Sequence, residues 1–213
     1  MNQKILEAIS EGVFEGEIRR VKEQVLSAIG IGLPVKQILE EGLIHGMDKV
    51  GVLFRDGEMF VPEVLVSSKA MQGGMELIRP LLLESGVKTL GKVLTVTVEG
   101  DLHDIGIKLV GMMMEGAGFE VVNMGVDAST AAIVEKIKEE KPNILGMSAM
   151  LTTTMVNMKK VVEKIKAEGL YDNLKIMVGG APLSSEYAKG IGAYYSSNAN
   201  EAVEVAKMIV VNK

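Results

Sequence analysis

The sequence of 213 residues contains no cysteine and no tryptophan, and it has only two histidines, four tyrosines and four phenylalanines. Without cysteine, neither a disulfide framework nor a thiolate metal site can form, and two distant histidines are too few for the centre of a zinc hydrolase. The few aromatic side chains offer little stacking surface for nucleic-acid bases. No apolar run approaches the ~20 residues that span a bilayer, and the N-terminus lacks the apolar block of a signal peptide. We therefore expect a cytoplasmic protein that binds neither nucleic acid nor membrane.

The composition is that of a globular protein with a substantial core, because 47% of the residues are hydrophobic. The net charge is −5, and lysine and glutamate alternate without a long run of like charge. Such a surface disfavours binding to a phosphate backbone. Fifteen methionines indicate pliable apolar surfaces.

The periodicity of the apolar residues changes near residue 90. Before it, the spacing is helical and predicts helices over residues 2–11, 15–29, 34–53 and 61–84. Four helices with short links favour a small bundle.

After residue 90, short apolar strands alternate with amphipathic helices. The predicted strands are GKVLTVTV, GFEVVNMG, NILGMSAM, LKIMVGG and the weaker GAYYSS. Five such β-α units imply a doubly wound, flavodoxin-like parallel sheet with the strand order 2-1-3-4-5. The sequence thus predicts a helical bundle over residues 1–88 and an α/β domain over residues 89–213.

In this topology, ligands bind where the chain reverses direction, at the carboxyl ends of the first and third strands. Asp101 and His103 follow the first strand, and Ser148 and the hydroxyls of residues 152–154 follow the third. A carboxylate held against one imidazole nitrogen fixes the tautomer and leaves the other nitrogen free to bind a metal. We expect these side chains to meet in one crevice.

Three short motifs recur here at characteristic intervals. The chain reads Asp101-x-His103-x-x-Gly106, then Ser148-x-Met150, then Gly179-Gly180. This pattern resembles the cobalamin-binding signature of B12-dependent methyltransferases and mutases, although Met150 stands where the family usually has leucine. The preceding segment GMDKVGVLFRDGEMFVPEVLVSSKAM is similar to the helical cap of methionine synthase and of small corrinoid proteins.

The resemblance implies a role for each residue of a ligand relay. His103 would be the lower axial ligand of cobalt and would displace the cofactor's own base, which is the base-off, His-on state. Asp101 would hydrogen-bond the far nitrogen of His103, and Thr154 would be the hydroxyl partner of that carboxylate. Together these groups would take up a proton when cobalt loses its lower ligand.

The resemblance also implies further cofactor contacts. The loop before the first helix of the α/β domain would contribute Gly100, Leu102, Asp104, Ile105 and Gly106, of which Gly106 would leave room for the nucleotide tail. The tail would also meet Ser148, Met150, Thr152, Gly179, Gly180 and Ala199. In the bundle, the matching cap residues are Glu40, Phe54, Val61 and Val64.

By resemblance, the protein would carry a methyl group on cobalt between a substrate-specific methyltransferase and an acceptor methyltransferase that uses a pterin or a thiol. It would not be catalytic alone, and a reductive activase would restore oxidised cobalt. The alternative is a cobalamin sensor or storage module. A response-regulator receiver is disfavoured because Ser148 stands where its phosphorylated aspartate would be. A flavodoxin is disfavoured because the loop EGDLHDIG is acidic, and a DNA-binding regulator is disfavoured because no basic reading helix precedes the α/β domain.

Overall fold

The computed structural model describes residues 2–85 and 89–211. It divides into two compact units, Met1–Thr89 with Gly116–Gly118, and Leu90–Glu115 with Phe119–Lys213. Residues 86–88, at the predicted hinge, lie outside the described residues, and the domain boundary at residue 88 stays a prediction.

The first unit is built from helices. They are α1 (Asn2–Phe14), α2 (Ile18–Gly30), α3 (Val35–Gln37), a π-helical segment (Ile38–Ile44), α4 (His45–Arg55) and α5 (Val61–Ser85). The residues that flank the π-helical segment have right-handed helical dihedral angles, so α3, the π-helical segment and α4 form one continuous helix. The four predicted helices are confirmed, with different ends.

The bundle core follows the helical spacing of the sequence. On α1, Leu6, Ile9 and Val13 are buried, and on α2, Val21 and Val25 are buried. Helix α1 packs against α2, and α2 packs against α5. The prediction ended α1 at residue 11, which was too early, because buried Val13 continues the apolar face by one turn.

The second unit is an α/β fold. Its elements are β1 (Lys92–Thr97), α6 (Ile105–Gly116), β2 (Glu120–Asn123), α7 (Thr130–Glu140), β3 (Ile144–Ser148), α8 (Thr152–Ala167), β4 (Lys175–Gly179), α9 (Ser185–Ile191), β5 (Tyr194–Tyr195) and α10 (Ala199–Val211). All neighbouring strands are parallel, and the strand order is β2-β1-β3-β4-β5. The predicted doubly wound sheet and its order are confirmed.

One face of this sheet carries the main core of the unit. Leu94 and Val96 of β1 and Leu145 and Met147 of β3 are almost fully buried there with apolar residues of α7, α8 and α9. Strands that are buried on both faces read as continuous apolar runs rather than as alternating patterns, which is why the sequence identified them readily.

The opposite face differs towards the carboxyl ends of the strands, where its side chains are small or polar. Thr95 and Thr97 lie on β1, and their register partners on β3 are Gly146 and Ser148. Helix α6 covers this face, since a Cβ on its Gly111 would lie 3.9 Å from the Thr95 hydroxyl oxygen. The face of the sheet beneath α6 therefore carries a strip of small or polar residues on β1 and β3, at the switch point where ligands bind in such folds.

Within residues 2–85 and 89–211, no helix is long and apolar enough to cross a membrane.

Candidate functional site

The loop between β1 and α6 places a fully buried carboxylate against an imidazole. Asp101 Oδ1 accepts a hydrogen bond from the His103 backbone amide at 3.0 Å and lies 2.7 Å from His103 Nδ1. Asp101 Oδ2 accepts hydrogen bonds from the Met150 amide and from Thr154 Oγ1, both at 2.7 Å. The loops that follow β1 and β3 are thus joined through one carboxylate.

The surroundings of Asp101 keep this carboxyl ionised. Burial raises its pKa, but the hydrogen bonds from the Met150 amide, the Thr154 hydroxyl and the His103 amide outweigh burial, and the pKa lies well below its ordinary value. Asp101 Oδ2 also lies at the N-terminal turn of α8, where the helix dipole favours an anion.

An ionised carboxylate can only accept hydrogen bonds, and this property decides the tautomer of His103. Because His103 Nδ1 faces Asp101, that nitrogen carries the proton and donates it. The other nitrogen, Nε2, then has a free lone pair. The His103 side chain is 57% exposed while that of Asp101 is fully buried, so a metal can reach the imidazole from outside.

Apolar side chains surround this imidazole on the surface of the α/β unit. Leu102 and Ile105 are 71% and 73% exposed, and Met150 is 40% exposed. Exposed apolar groups clustered around a polar centre are typical of ligand-binding surfaces. A broad, flat and largely apolar ligand with a metal at its centre fits this arrangement.

The strip of small or polar residues beneath α6 includes Thr97, whose hydroxyl donates to the His103 carbonyl, and it offers further hydroxyl groups to a polar tail. No atom lies within 4 Å of the position that a Cβ on Gly106 would take. The Thr95 hydroxyl is buried and has no hydrogen-bond partner, although buried hydroxyls are normally satisfied. Ser148, at the end of β3, adds a second buried hydroxyl.

Comparison with known proteins gives one consistent result. Two family models, each described as a B12 binding domain, match this chain, one over residues 91–205 and the other over residues 5–79. Dimethylamine corrinoid protein 3 of Methanosarcina acetivorans is 40% identical over 210 residues, which cover 97% of this chain and 99% of that protein. Trimethylamine corrinoid protein of Methanosarcina barkeri is 38% identical and covers 96% of this chain and of its own length.

The chain belongs to the B12-binding corrinoid proteins. The structural comparison agrees, since the methanol:cobalamin methyltransferase complex MtaBC of Methanosarcina barkeri contains a chain with a TM-score of 0.89 and 29% identity, covering 99% of this chain and 81% of that one. The expected family and the expected cobalamin or related corrinoid cofactor are therefore confirmed.

Other predicted site residues of this corrinoid protein lie in varied surroundings. Thr152 is exposed at the start of α8, and Ala199 is buried at the start of α10. Asp104 pairs with Lys108 one helical turn away, which lowers the pKa of its carboxyl. Their roles as cofactor contacts stay predictions.

Gly180 has a local explanation that does not depend on a ligand. Its φ angle is +136°, and a Cβ at this position would lie 1.8 Å from the carbonyl oxygen of Ala149. Only glycine tolerates this conformation next to that carbonyl. For the neighbouring Gly179, the backbone oxygen of Ser196 lies 3.0 Å from a hypothetical Cβ, so both glycines are close to the chain itself.

In the helical unit, the matched cap residues are not equally accessible. Val64 is fully buried, Phe54 and Val61 are partly buried, and Glu40 is exposed within the π-helical segment. Their assignments stay predictions. His45, the other histidine of the chain, is exposed.

The sequence did not reveal several residues that hold the histidine loop. Thr97 Oγ1 donates to the carbonyl of His103 at 3.2 Å, and Asn157 Nδ2 donates to the carbonyl of Glu99 at 2.8 Å. Asp127 Oδ1 accepts from the Gly100 amide at 2.7 Å. A threonine in a buried strand was a visible signal for Thr97, but no local pattern marks the other two.

Proposed function

We propose that this corrinoid protein is a methyl carrier that binds its cofactor in the base-off state with His103 as the lower ligand of cobalt. The observation that carries the proposal is the geometry of His103, whose Nδ1 lies 2.7 Å from a buried carboxylate while the side chain is 57% exposed. A hydrogen bond to one imidazole nitrogen is the usual support for a metal on the other.

A bound corrinoid supplies a cobalt centre that can accept and release a methyl group, and the protein tunes it. His103 Nε2 would hold the metal, and Asp101 fixes the tautomer that makes this nitrogen basic. The proton on His103 Nδ1 is shared with Asp101 Oδ1, and Thr154 stabilises the opposite oxygen of the same carboxylate. This relay can keep a proton near the imidazole when the metal bond lengthens or breaks.

The displaced nucleotide tail would occupy the strip between α6 and the sheet. The open space at Gly106 and the unpartnered hydroxyl of Thr95 support this assignment, and Ser148 and Thr152 are the predicted polar contacts. The tail's heterocycle and phosphate both carry acceptors that hydroxyl groups can bind.

The proposed partners are a methyltransferase that loads the methyl group, a second methyltransferase that removes it, and a reductive activase. The corrinoid protein itself is a carrier subunit and is not catalytic alone. The names of the relatives refer to dimethylamine and trimethylamine, whereas the chain with 29% identity belongs to a methanol complex. The higher identity to the former favours a methylated amine as the donor, a choice that the partner enzyme makes.

Electron paramagnetic resonance of the protein loaded with cob(II)alamin tests the ligand assignment. With ordinary nitrogen, one axial nitrogen ligand splits the signal into triplets. Protein labelled with ¹⁵N-histidine should give doublets, because the ligand then comes from the protein rather than from the cofactor. His103→Ala should remove the splitting, and His45→Ala is the matched control that should keep it. Triplets that persist in the labelled protein would contradict the proposal.

Methyl transfer separates a carrier from the alternative, a sensor or storage module. The protein loaded with cob(I)alamin is mixed with a dimethylamine methyltransferase and ¹⁴C-methyl-labelled dimethylamine. Label should appear on the protein-bound corrinoid and should then leave when an acceptor methyltransferase and its thiol are added. A protein that binds the corrinoid through His103 but acquires no label in this assay, or when the dimethylamine pair is replaced by the trimethylamine or the methanol methyltransferase with its own labelled donor, would be a sensor or store.

A further inference from the structure

Asp127 lies in the loop between β2 and α7 and has an unusual backbone conformation. Its φ angle is +53°, in the left-handed region that residues other than glycine seldom adopt. A non-glycine residue persists there when its surroundings hold it. Aspartate is among the residues that tolerate this region best.

Two hydrogen bonds tie Asp127 to the loop that carries the imidazole. Its Oδ1 accepts from the Gly100 amide at 2.7 Å, and its own amide donates to the Asp101 carbonyl at 3.1 Å. These two contacts bracket the dipeptide Gly100-Asp101. Gly100 itself has a φ angle of +82°, and the Asp101 amide donates to the Val98 carbonyl at 3.1 Å, so the chain turns sharply there.

The bracketed dipeptide determines where the Asp101 side chain starts. The Asp101 carboxylate accepts hydrogen bonds from both His103 Nδ1 and the His103 backbone amide. A rotation of the Gly100-Asp101 backbone would therefore move the buried carboxylate and the imidazole together. The contacts of Thr97 and Asn157 hold the loop at His103 and at Glu99, on either side of the dipeptide. Within the dipeptide, the Asp101 amide is held by the Val98 carbonyl, and Asp127 holds the Gly100 amide and the Asp101 carbonyl.

We propose that Asp127 is a positioning residue for the cobalt ligand: it fixes the backbone that aims the Asp101 carboxylate at His103. This inference rests on the proposed His-on binding of the corrinoid. Asp127 acts through backbone atoms, because its two hydrogen bonds are to the Gly100 amide and the Asp101 carbonyl and not to the imidazole. The arrangement follows the general rule that a metal ligand is oriented by groups beyond the ligand itself.

Three substitutions separate the hydrogen bond from the backbone conformation. Asp127→Asn keeps a side-chain acceptor and tolerates a positive φ angle, Asp127→Gly keeps only the conformation, and Asp127→Ala keeps neither. Lys141→Ala is the matched control, because Lys141 is the other described non-glycine residue with a positive φ angle, +48°, and lies at the end of α7.

Each variant is loaded with cob(II)alamin, and two quantities are measured: the fraction of the resonance signal split by ¹⁵N-histidine, and the rate at which the corrinoid dissociates. We expect Asp127→Ala and Asp127→Gly to lower the His-on fraction and to release the corrinoid roughly two- to tenfold faster, the range that the loss of one hydrogen bond gives. Asp127→Asn and Lys141→Ala should resemble the wild type in both quantities.

The results discriminate clearly among the possibilities. If the wild type shows no histidine splitting, the proposed function fails and the variants need not be considered. If the wild type is His-on and Asp127→Ala loses thermal stability yet keeps the wild-type His-on fraction, Asp127 is only a structural contact and the inference is wrong. Failure of Asp127→Asn to retain the His-on state would also overturn it, because the argument depends on the acceptor geometry and not on charge.

Discussion

Asp101→Asn is the substitution for which the structure gives the most detailed expectation. The wild-type carboxylate accepts four hydrogen bonds, two on each oxygen, from His103, Met150 and Thr154. An asparagine can match only part of this pattern, because one of the two oxygens becomes an amide group that donates.

The best orientation of the asparagine keeps its oxygen towards His103 and turns its amide group towards Met150 and Thr154. The Thr154 hydroxyl can turn its single hydrogen to the Leu151 carbonyl, which lies 3.0 Å away, and it can then accept from the new amide group. The Met150 amide cannot adapt, and it would be left without an acceptor and opposite another donor. This loss costs about 1–3 kcal/mol, and the remaining bonds weaken because the acceptor is no longer charged.

Removal of the buried charge recovers part of this cost, so we expect a net loss of about 2 kcal/mol in the free energy of unfolding. For a chain of this length, that corresponds to a fall in Tm of about 4–8 °C. The measurement is urea and thermal denaturation of the corrinoid-free protein, followed by circular dichroism.

Asp104→Asn is the matched control, because Asp104 is partly exposed and its ion pair is with Lys108 on the surface. Its effect on the free energy of unfolding should be much smaller than that of Asp101→Asn, because water screens an ion pair on the surface. If Asp101→Asn were equally mild, the reasoning that four donors hold this carboxylate would be refuted.

Three further predictions concern acid stability and two glycines. Folding lowers the pKa of Asp101, so the contribution of this carboxylate to stability is complete above its ordinary pKa of 3.8 and is lost as the pH falls below that value. The difference in the free energy of unfolding between wild type and Asp101→Asn, measured by urea denaturation, should therefore narrow below pH 3.8. Gly180→Ala should lower the free energy of unfolding by more than about 3 kcal/mol, because the new Cβ would collide with the Ala149 carbonyl. Gly190→Ala in α9 is the control, since no atom lies within 4 Å of its new Cβ. It should be neutral or stabilising in the same urea denaturation. Gly106→Ala should leave the corrinoid-free protein as stable as the wild type, or about 0.5–1 kcal/mol more stable, because alanine favours helix. If the open space receives the nucleotide tail, equilibrium titration should show that the variant binds cobalamin about tenfold more weakly than the wild type. An unchanged affinity for cobalamin would exclude the tail from this position.

The sequence determined the elements and their order. The strands β1 and β3 are short and mainly apolar, and the helices between the strands have one apolar face, so the parallel sheet and its switch point could be predicted from periodicity. The topology then predicted that residues after β1 and β3 would meet. The hydrogen bonds of Asp101 to Thr154 and to the Met150 amide show that they do.

The sequence was less informative about where elements end. The prediction began the second helix at residue 15, whereas α2 begins at Ile18, and it did not anticipate the π-helical segment Ile38–Ile44. Helix ends and π-helical turns depend on packing and on hydrogen bonds between segments, which leave no periodic signal.

The pairing of Asp101 with His103 and the fold that brings the loops after β1 and β3 together could be predicted from the chain, because they depend on residue type and on the order of the strands. The proposed role of His103 as cobalt ligand came from the resemblance to the family. Only the tertiary structure decided how the histidine loop is held. The side chains of Asp127 and Asn157 bind backbone atoms of Gly100 and Glu99 from distant parts of the chain. Because every residue has backbone atoms of this kind, such contacts leave no pattern of residue type or spacing in the sequence.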